Sequence, residues 1–194
     1  MTDLAQIIEG LADALSRVQI PHAFGGALAA SYWGIVRTTQ DVDCLVALPA
    51  LSYQRLADEL QALGCQQHDE SGQWQPVDAL RMRQQATQRH LIECYLDAVR
   101  IELFVPVVPL QDEILRRAVL MPFGQRQIWV TTAEDMILIK LAFHRAKDLQ
   151  DVRGMFWVQR GQLDLDYLRR WSTMTHADST QRELEDLIEE YGGG

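Results

Sequence analysis

In the run Arg37-Thr38-Thr39-Gln40-Asp41-Val42-Asp43 two aspartates stand two residues apart. Residues at that spacing in a strand face the same way. Asp41 and Asp43 therefore project together, Thr39 and Arg37 continue the row, and Val42, Cys44 and Val46 pack on the other face. Two carboxylates side by side repel, and burial raises at least one pKa. A divalent cation removes that conflict: Mg²⁺ takes one or two carboxylates and completes its shell with water and phosphate oxygens. That arrangement suits transfer of a phosphoryl or nucleotidyl group. An isolated D-x-D is more often a solvated strand edge or an ion pair, here with Arg37. Gly25-Gly26 upstream changes the balance. At a strand-to-helix junction its backbone N–H groups are open to an anion, and the helix N-terminus that follows attracts phosphate. Neither a P-loop nor a GxGxxG pattern is present.

Further acids come from a β-hairpin. If Asp97-Ala98 is its two-residue turn, Tyr95 pairs with Arg100, Cys94 with Ile101 and Glu93 with Glu102. Ile92, Cys94, Leu96, Val99, Ile101 and Leu103 then form a core face. The opposite face carries Glu93, Tyr95, Arg100, Glu102 and Phe104. Two glutamates directly opposite are unfavourable without a cation beside them. Tyr95 and Arg100 make a pair on this register, which leaves the glutamates without a local cation. On a continuous helix from Thr132, Lys140, His144 and Lys147 fall on one face at i, i+4 and i+7. Of the 18 basic residues only Lys140 and Lys147 are lysine, and lysine supplies a compact point charge suited to phosphate. An exposed, solvated face is the alternative. His144 reads as structural or surface histidine, as do His22, His68, His90 and His176.

The elements that position these residues follow from periodicity. Leu4, Ile7, Ile8, Leu11, Leu15 and Val18 predict an amphipathic helix over 3–18. A short strand at 22–24, a helix at 27–33 and a strand at 39–47 follow. A helix begins at Pro49 and is closed by Gly64. Residues 65–90 predict a loop with one short helix near 77–83. Hairpins at 90–96/99–106 and 119–123/127–130 flank a helix at 110–118. Thr131-Thr132-Ala133-Glu134 signals a helix start. Helices at 148–159, 164–172 and 179–190 complete the pattern. The fold class is therefore α/β (α+β), a mixed sheet flanked by helices, with residues 1–130 as the sheet domain and 131–191 as a helical part packed on it. The glycines at 192–194 carry no structural information.

The chain has 194 residues, is 47% hydrophobic and 23% charged, and carries a net charge of −9. It is long enough to bury a core in one domain with at most a small appendage. The negative balance repels nucleic acid at long range and lowers the prior for a duplex-binding protein. Arg81, Arg83 and Arg89 offer a local basic cluster that could meet a phosphate backbone, although a solvated loop is the commoner explanation. Cys44, Cys65 and Cys94 have no paired spacing and read as buried thiols of a reducing compartment. The N-terminus has no basic, apolar leader and no apolar run is long enough for a membrane span, so a cytoplasmic protein is expected.

Taken together, Gly25-Gly26-Ala27-Leu28-Ala29, Arg37-x-Thr39-x-Asp41-Val42-Asp43, Arg100-Ile101-Glu102-Leu103, 134–141 and 145–151 resemble the nucleotidyltransferase superfamily, whose fold is shared with DNA polymerase beta. The likeness is to its bacterial abortive-infection and toxin–antitoxin type and spans residues 20–155. It implies Asp41 and Asp43 as metal ligands with Glu102 as third carboxylate, ligand or general base. It also implies Gly25 and Gly26 as the triphosphate cradle, Arg37 and Thr39 as nucleotide-binding, and Lys140 as neutraliser of the phosphate charge. Arg145, Lys147, Asp148 and Asp151 match a basic–acidic stretch of open role. Mg²⁺ or Mn²⁺, an NTP donor and an acceptor hydroxyl of RNA, protein or a small molecule follow from the resemblance, as does a cognate toxin or antitoxin partner. Glu102 departs from the aspartate of many relatives. A non-catalytic binding component with the same fold is the competing reading.

Overall fold

Apolar–polar alternation in three successive strands forms the centre of one mixed sheet. The structure, a computed structural model, describes residues 3–191, so the glycines at 192–194 lie outside the described residues. The strands are β1 (His22–Phe24), β2 (Asp41–Val46), β3 (Gln66–His68), β4 (Trp74–Pro76), β5 (Leu91–Leu96), β6 (Val99–Phe104), β7 (Val119–Phe123) and β8 (Arg126–Val130). Their order is β4-β3-β5-β6-β2-β1-β8-β7. β2 runs parallel to β6, and β1 parallel to β8; the remaining neighbours are antiparallel.

Contacts divide the chain into two compact units, residues 1–25 with 39–130 and residues 26–38 with 131–194. The first unit holds the whole sheet and four helices, α1 (Leu4–Arg17), α3 (Tyr53–Ala62), α4 (Ala79–Arg89) and α5 (Pro109–Arg117). In α1 the 3.6-residue period buries Ile7, Ile8, Leu11 and Leu15. In the central strands Val42, Cys44, Val46, Ile92, Cys94, Ile101 and Leu103 are buried. All three cysteines are buried free thiols.

The second unit consists of α2 (Gly26–Tyr32), α6 (Ala133–Phe143), α7 (Ala146–Val158), α8 (Leu165–Thr175) and α9 (Asp178–Tyr191). Thr132 caps α6, accepting from the Asp135 amide at 3.2 Å. The capping acid is thus one residue later than the sequence signal, which pointed to Glu134. Asp135 is fully buried and receives hydrogen bonds from Thr132 Oγ1 at 2.8 Å and Tyr167 Oη at 2.5 Å, which ties α6 to α8.

Several expectations needed correction. The third helix begins at Tyr53 rather than Pro49, because a turn closed by the Ser52 amide on the Pro49 carbonyl precedes it. Gly64, at φ +87°, does close it, with its amide on Gln61 O and that of Cys65 on Leu60 O. The polar stretch 65–90 is ordered as β3, β4 and all of α4. Its strands are only three residues long and carry little apolar pattern. Their centre is Gln67, wholly buried, whose amide donates to Gln85 and Glu93 O and accepts from Asp78 N.

Candidate active site

The hairpin register derived from the turn is the one observed: Leu96 opposite Val99, Tyr95 opposite Arg100, and Glu93 opposite Glu102. Asp97 takes φ +53°, a left-handed geometry that Asp tolerates better than most residues. On the other side of β6, Asp41 lies opposite Arg100 and Asp43 opposite Glu102. Asp43, Glu102 and Glu93 therefore form one row across three strands, with Asp41, Arg100 and Tyr95 in the neighbouring row. All six are partly exposed, while the residues between them along each strand are buried. Glu102, on the strand next to β2, is the immediate neighbour of Asp43; Glu93 stands one strand further out.

Asp43 stands directly opposite Glu102 on the neighbouring strand, so the two carboxyl groups face the same side of the sheet. Burial pushes the Glu102 carboxyl above its ordinary range. Arg100 opposes the shift, and the charges of Asp43 and Asp41 reinforce it. Tyr95 does not pair with Arg100; its hydroxyl donates to Glu93 Oε1 at 2.9 Å. Arg100 instead grips Asp41, with Nε to Oδ1 at 3.3 Å and Nη2 to Oδ2 at 2.9 Å. Its Nη1 lies 3.5 Å from Glu102 and 3.9 Å from Glu93. The glutamates thus have the cation that sequence reasoning could not find. Arg100 is the site residue that reading missed, and its signal was an arginine among acids on one strand face.

β2 starts at Asp41, so the row is not continued by Thr39 and Arg37. Thr39 Oγ1 accepts from the Asp41 amide at 3.2 Å and donates to Asp41 O at 2.9 Å, shaping the chain just before the first aspartate. The Gly25 amide donates to Asp43 O at 2.9 Å and so extends the β1–β2 ladder. A Cβ built on Gly25 meets nothing within 4 Å.

In the second unit Gly26 takes φ +57°, which favours glycine. Arg37 Nη1 reaches both oxygens of Asp151, at 3.0 and 2.9 Å. Lys140 is buried, with Nζ 2.7 Å from Asp151 and 3.6 Å from Asp148. Arg145 closes the network on Asp148 at 2.5 Å. Burial raises the Asp148 carboxyl, but the Arg145 hydrogen bond and the charges of Arg145 and Lys140 outweigh it and hold it below its ordinary value. The helix is not continuous past Phe143: His144 adopts φ +53° and ends α6. Lys140, His144 and Lys147 consequently share no helix face. His144 pairs with Glu183 at 2.6 Å, and Lys147 is exposed. Of the arginines at 81–89, on α4 of the first unit, Arg81 donates to His68 O and Arg83 to Ala50 O.

No family model matches the sequence, and no curated protein does. Solved structures match throughout. An antigenic nucleotidyltransferase-like protein from Paracoccidioides brasiliensis is 17% identical at a TM-score of 0.57, over 96% of this chain and 88% of that one. ANT(2'')-Ia in complex with adenylyl-2''-tobramycin is 12% identical at 0.54, over 98% and 99%. The chain has the nucleotidyltransferase fold. The lincomycin-bound lincosamide antibiotic adenylyltransferase LnuA shares it at 0.50 and 11% identity, over 81% of this chain and 98% of that one.

A nucleotidyltransferase fold raises the question whether these acids suit a divalent cation. In type they do: Asp41, Asp43 and Glu102, on adjacent register positions, are hard oxygen donors whose like charges a cation would relieve. Among the described residues no group of three or more His, Cys, Asp or Glu side chains is arranged to hold a metal ion as it stands. The Asp41 oxygens are taken by the Arg100 fork. Among the described residues no helix is long and apolar enough to cross a membrane.

Proposed function

We propose that this chain is a metal-dependent nucleotidyltransferase that moves a nucleoside monophosphate from an NTP to an acceptor hydroxyl. The observation that carries the reading is the register that sets Asp43 directly opposite Glu102, with Asp41 two residues along the same strand face, in a nucleotidyltransferase fold. Asp41, Asp43 and Glu102 would hold Mg²⁺ or Mn²⁺. Such an ion supplies charge neutralisation at the transferring phosphate and acidifies a bound hydroxyl. Glu102, whose carboxyl burial pushes up, would take the acceptor's proton where it does not ligate the ion. Thr39 and the Gly25 backbone hold the two aspartates in register. For Gly26, Arg37 and Lys140, in the second unit, a nucleotide-binding role rests on the sequence resemblance alone.

The acceptor hydroxyl belongs to an RNA 3′ end, a protein side chain or a small molecule. The tobramycin and lincomycin of the two antibiotic-modifying neighbours put a small molecule first among the candidates to try. A cognate toxin or antitoxin protein as partner rests on the resemblance of the motifs. The test is the melting temperature of wild type and Asp43→Asn with each NTP, with and without Mg²⁺. A rise that needs nucleotide and metal together and is lost in Asp43→Asn is expected. No rise with any nucleotide would move the reading to a non-catalytic binding component.

A further inference from the structure

Arg100 occupies the middle strand of the three that carry the acids, directly opposite Asp41 on one side and Tyr95 on the other. Its guanidinium touches three carboxylates: both oxygens of Asp41, then Glu102 and Glu93. This is the charge environment of a metal ion, filled by a side chain of the protein. From this geometry, and resting on the proposed function, we infer that Arg100 is a built-in counter-cation that competes with the divalent metal for Asp41. Metal loading and release of the Arg100 fork from Asp41 are then one event.

Exposure and distance support an exchange. The Arg100 and Asp41 side chains are 38% and 41% exposed, so the pair is screened by water and weak for an ion pair. A divalent ion brings twice the charge to the same oxygens and reaches Asp43 and Glu102 together. Arg100 also has somewhere to go. Glu93, 3.9 Å from Nη1, lies one strand away from the Asp43–Glu102 pair and is held by the Tyr95 hydroxyl. A turn of the guanidinium towards Glu93 frees Asp41 without leaving the arginine unpaired. The arrangement spares the protein three uncompensated acids when the metal is absent, at the cost of a weaker grip on the metal.

The test is direct Mn²⁺ and Mg²⁺ binding by calorimetry, with no nucleotide, on wild type, Arg100→Gln and Arg89→Gln. Arg89 is exposed at the end of α4 and serves as control for loss of one positive charge. Arg100→Gln is expected to bind the ion about fivefold more tightly, the ratio set by removing a competing surface ion pair of ~1 kcal/mol. Arg89→Gln should change affinity less than about twofold at 0.15 M salt, where screening removes distant charges. Glu93→Gln should weaken metal binding in wild type and do so much less in the Arg100→Gln background, because the parking site matters only when the arginine is present. Melting without metal checks folding independently: Arg100→Gln should melt lower than wild type and gain more from Mn²⁺. Binding in wild type that is unchanged or weaker in Arg100→Gln overturns the competition and leaves the proposed function standing. Undetectable binding in wild type and Arg100→Gln alike also overturns the competition, whereas the proposed function falls only if the joint rise with nucleotide and metal is absent as well.

Discussion

Lys140 is the cation whose removal should be felt most. Its side chain is 11% exposed, and its partners Asp151 and Asp148 are 7% and 2% exposed. Stranding a buried charge typically costs about 3–5 kcal/mol, whereas losing one hydrogen bond to a charged group costs about 1.5–3 kcal/mol. Lys140→Met lies between the two. Asp151 keeps Arg37 Nη1 on both its oxygens and Asp148 keeps Arg145, so neither acid is fully abandoned. Methionine also preserves the apolar stem. The expected loss is about 2–4 kcal/mol, and for a chain of this length that lowers the melting point by roughly 4–16 °C.

The assay is thermal and urea unfolding followed by circular dichroism, with Asp151→Asn and the double variant completing a cycle. A coupling of about 1 kcal/mol or more between the two positions is expected, because each loses its shortest contact when the other is changed. A Lys140→Met protein that melts within about 1 °C of wild type would refute the reasoning, for the desolvation of the network would then equal its attraction. The same variant separates structure from ligand binding. Assayed well below its melting point, it should show a raised KM for the NTP if Lys140 also meets the phosphates, and an unchanged KM if its charge serves only Asp151 and Asp148.

Asp41→Asn and Asp43→Asn should each abolish transfer with little change in circular dichroism; wild-type turnover in either would remove the carboxylates from the mechanism. Gly25→Ala should fold normally, since a Cβ there meets nothing within 4 Å; if donor phosphate approaches this backbone the variant nevertheless loses NTP-dependent stabilisation. Gly34→Ala should be costly, because Gly34 has φ +93° and its Cβ would stand 2.6 Å from Val158 Cγ1. Left-handed strain of about 1–2 kcal/mol and overpacking of about 1–3 kcal/mol act together there, and urea unfolding reads the sum. His22 supplies a pH test: burial lowers its pKa below the ordinary 6.5, against the opposing hydrogen bond to Ile20 O. The folded state favours the neutral ring. Its contribution is therefore present above about pH 6.5 and lost as pH falls through the depressed value. A melting-point profile of His22→Asn should be flatter across that window than the wild-type profile, and parallel profiles would remove His22 as the cause.

Legibility in the sequence followed the range of the forces involved. The hairpin at 91–104 was readable to the residue because its turn and its two-residue period both act locally, and the paired glutamates followed from register alone. The helices were readable where an apolar stripe is strong, as in α1 and α9. The 65–90 segment was not, because β3 and β4 are stabilised by the buried amide of Gln67 and its distant partners Gln85, Asp78 and Glu93. Nothing in Gln66-Gln67-His68 alternates in hydrophobicity. The false continuity from Thr132 to Lys147 has a similar origin: the left-handed His144 and the extended Arg145 break it, and neither carries a stop signal as glycine would.

The site divides along the same line. Which acids share a face is a matter of strand period and register, so Asp41 with Asp43, and Glu93 with Glu102, could be paired from the sequence, while only the family resemblance joined the two pairs. Which cation answers them is a matter of side-chain reach, and arginine reaches far enough to choose among several carboxylates. Arg100 was assigned to Tyr95, its cross-strand partner on β5, when its other cross-strand partner, on β2, is Asp41. A residue on a central strand has two such partners, and a hairpin shows only one of them. The parallel pairing of β2 with β6 joins residues about sixty positions apart, and only that pairing brings the guanidinium to the aspartate. The same contact makes the acids tolerable as neighbours, so the step from fold to chemistry at this site runs through Arg100 as much as through the aspartates.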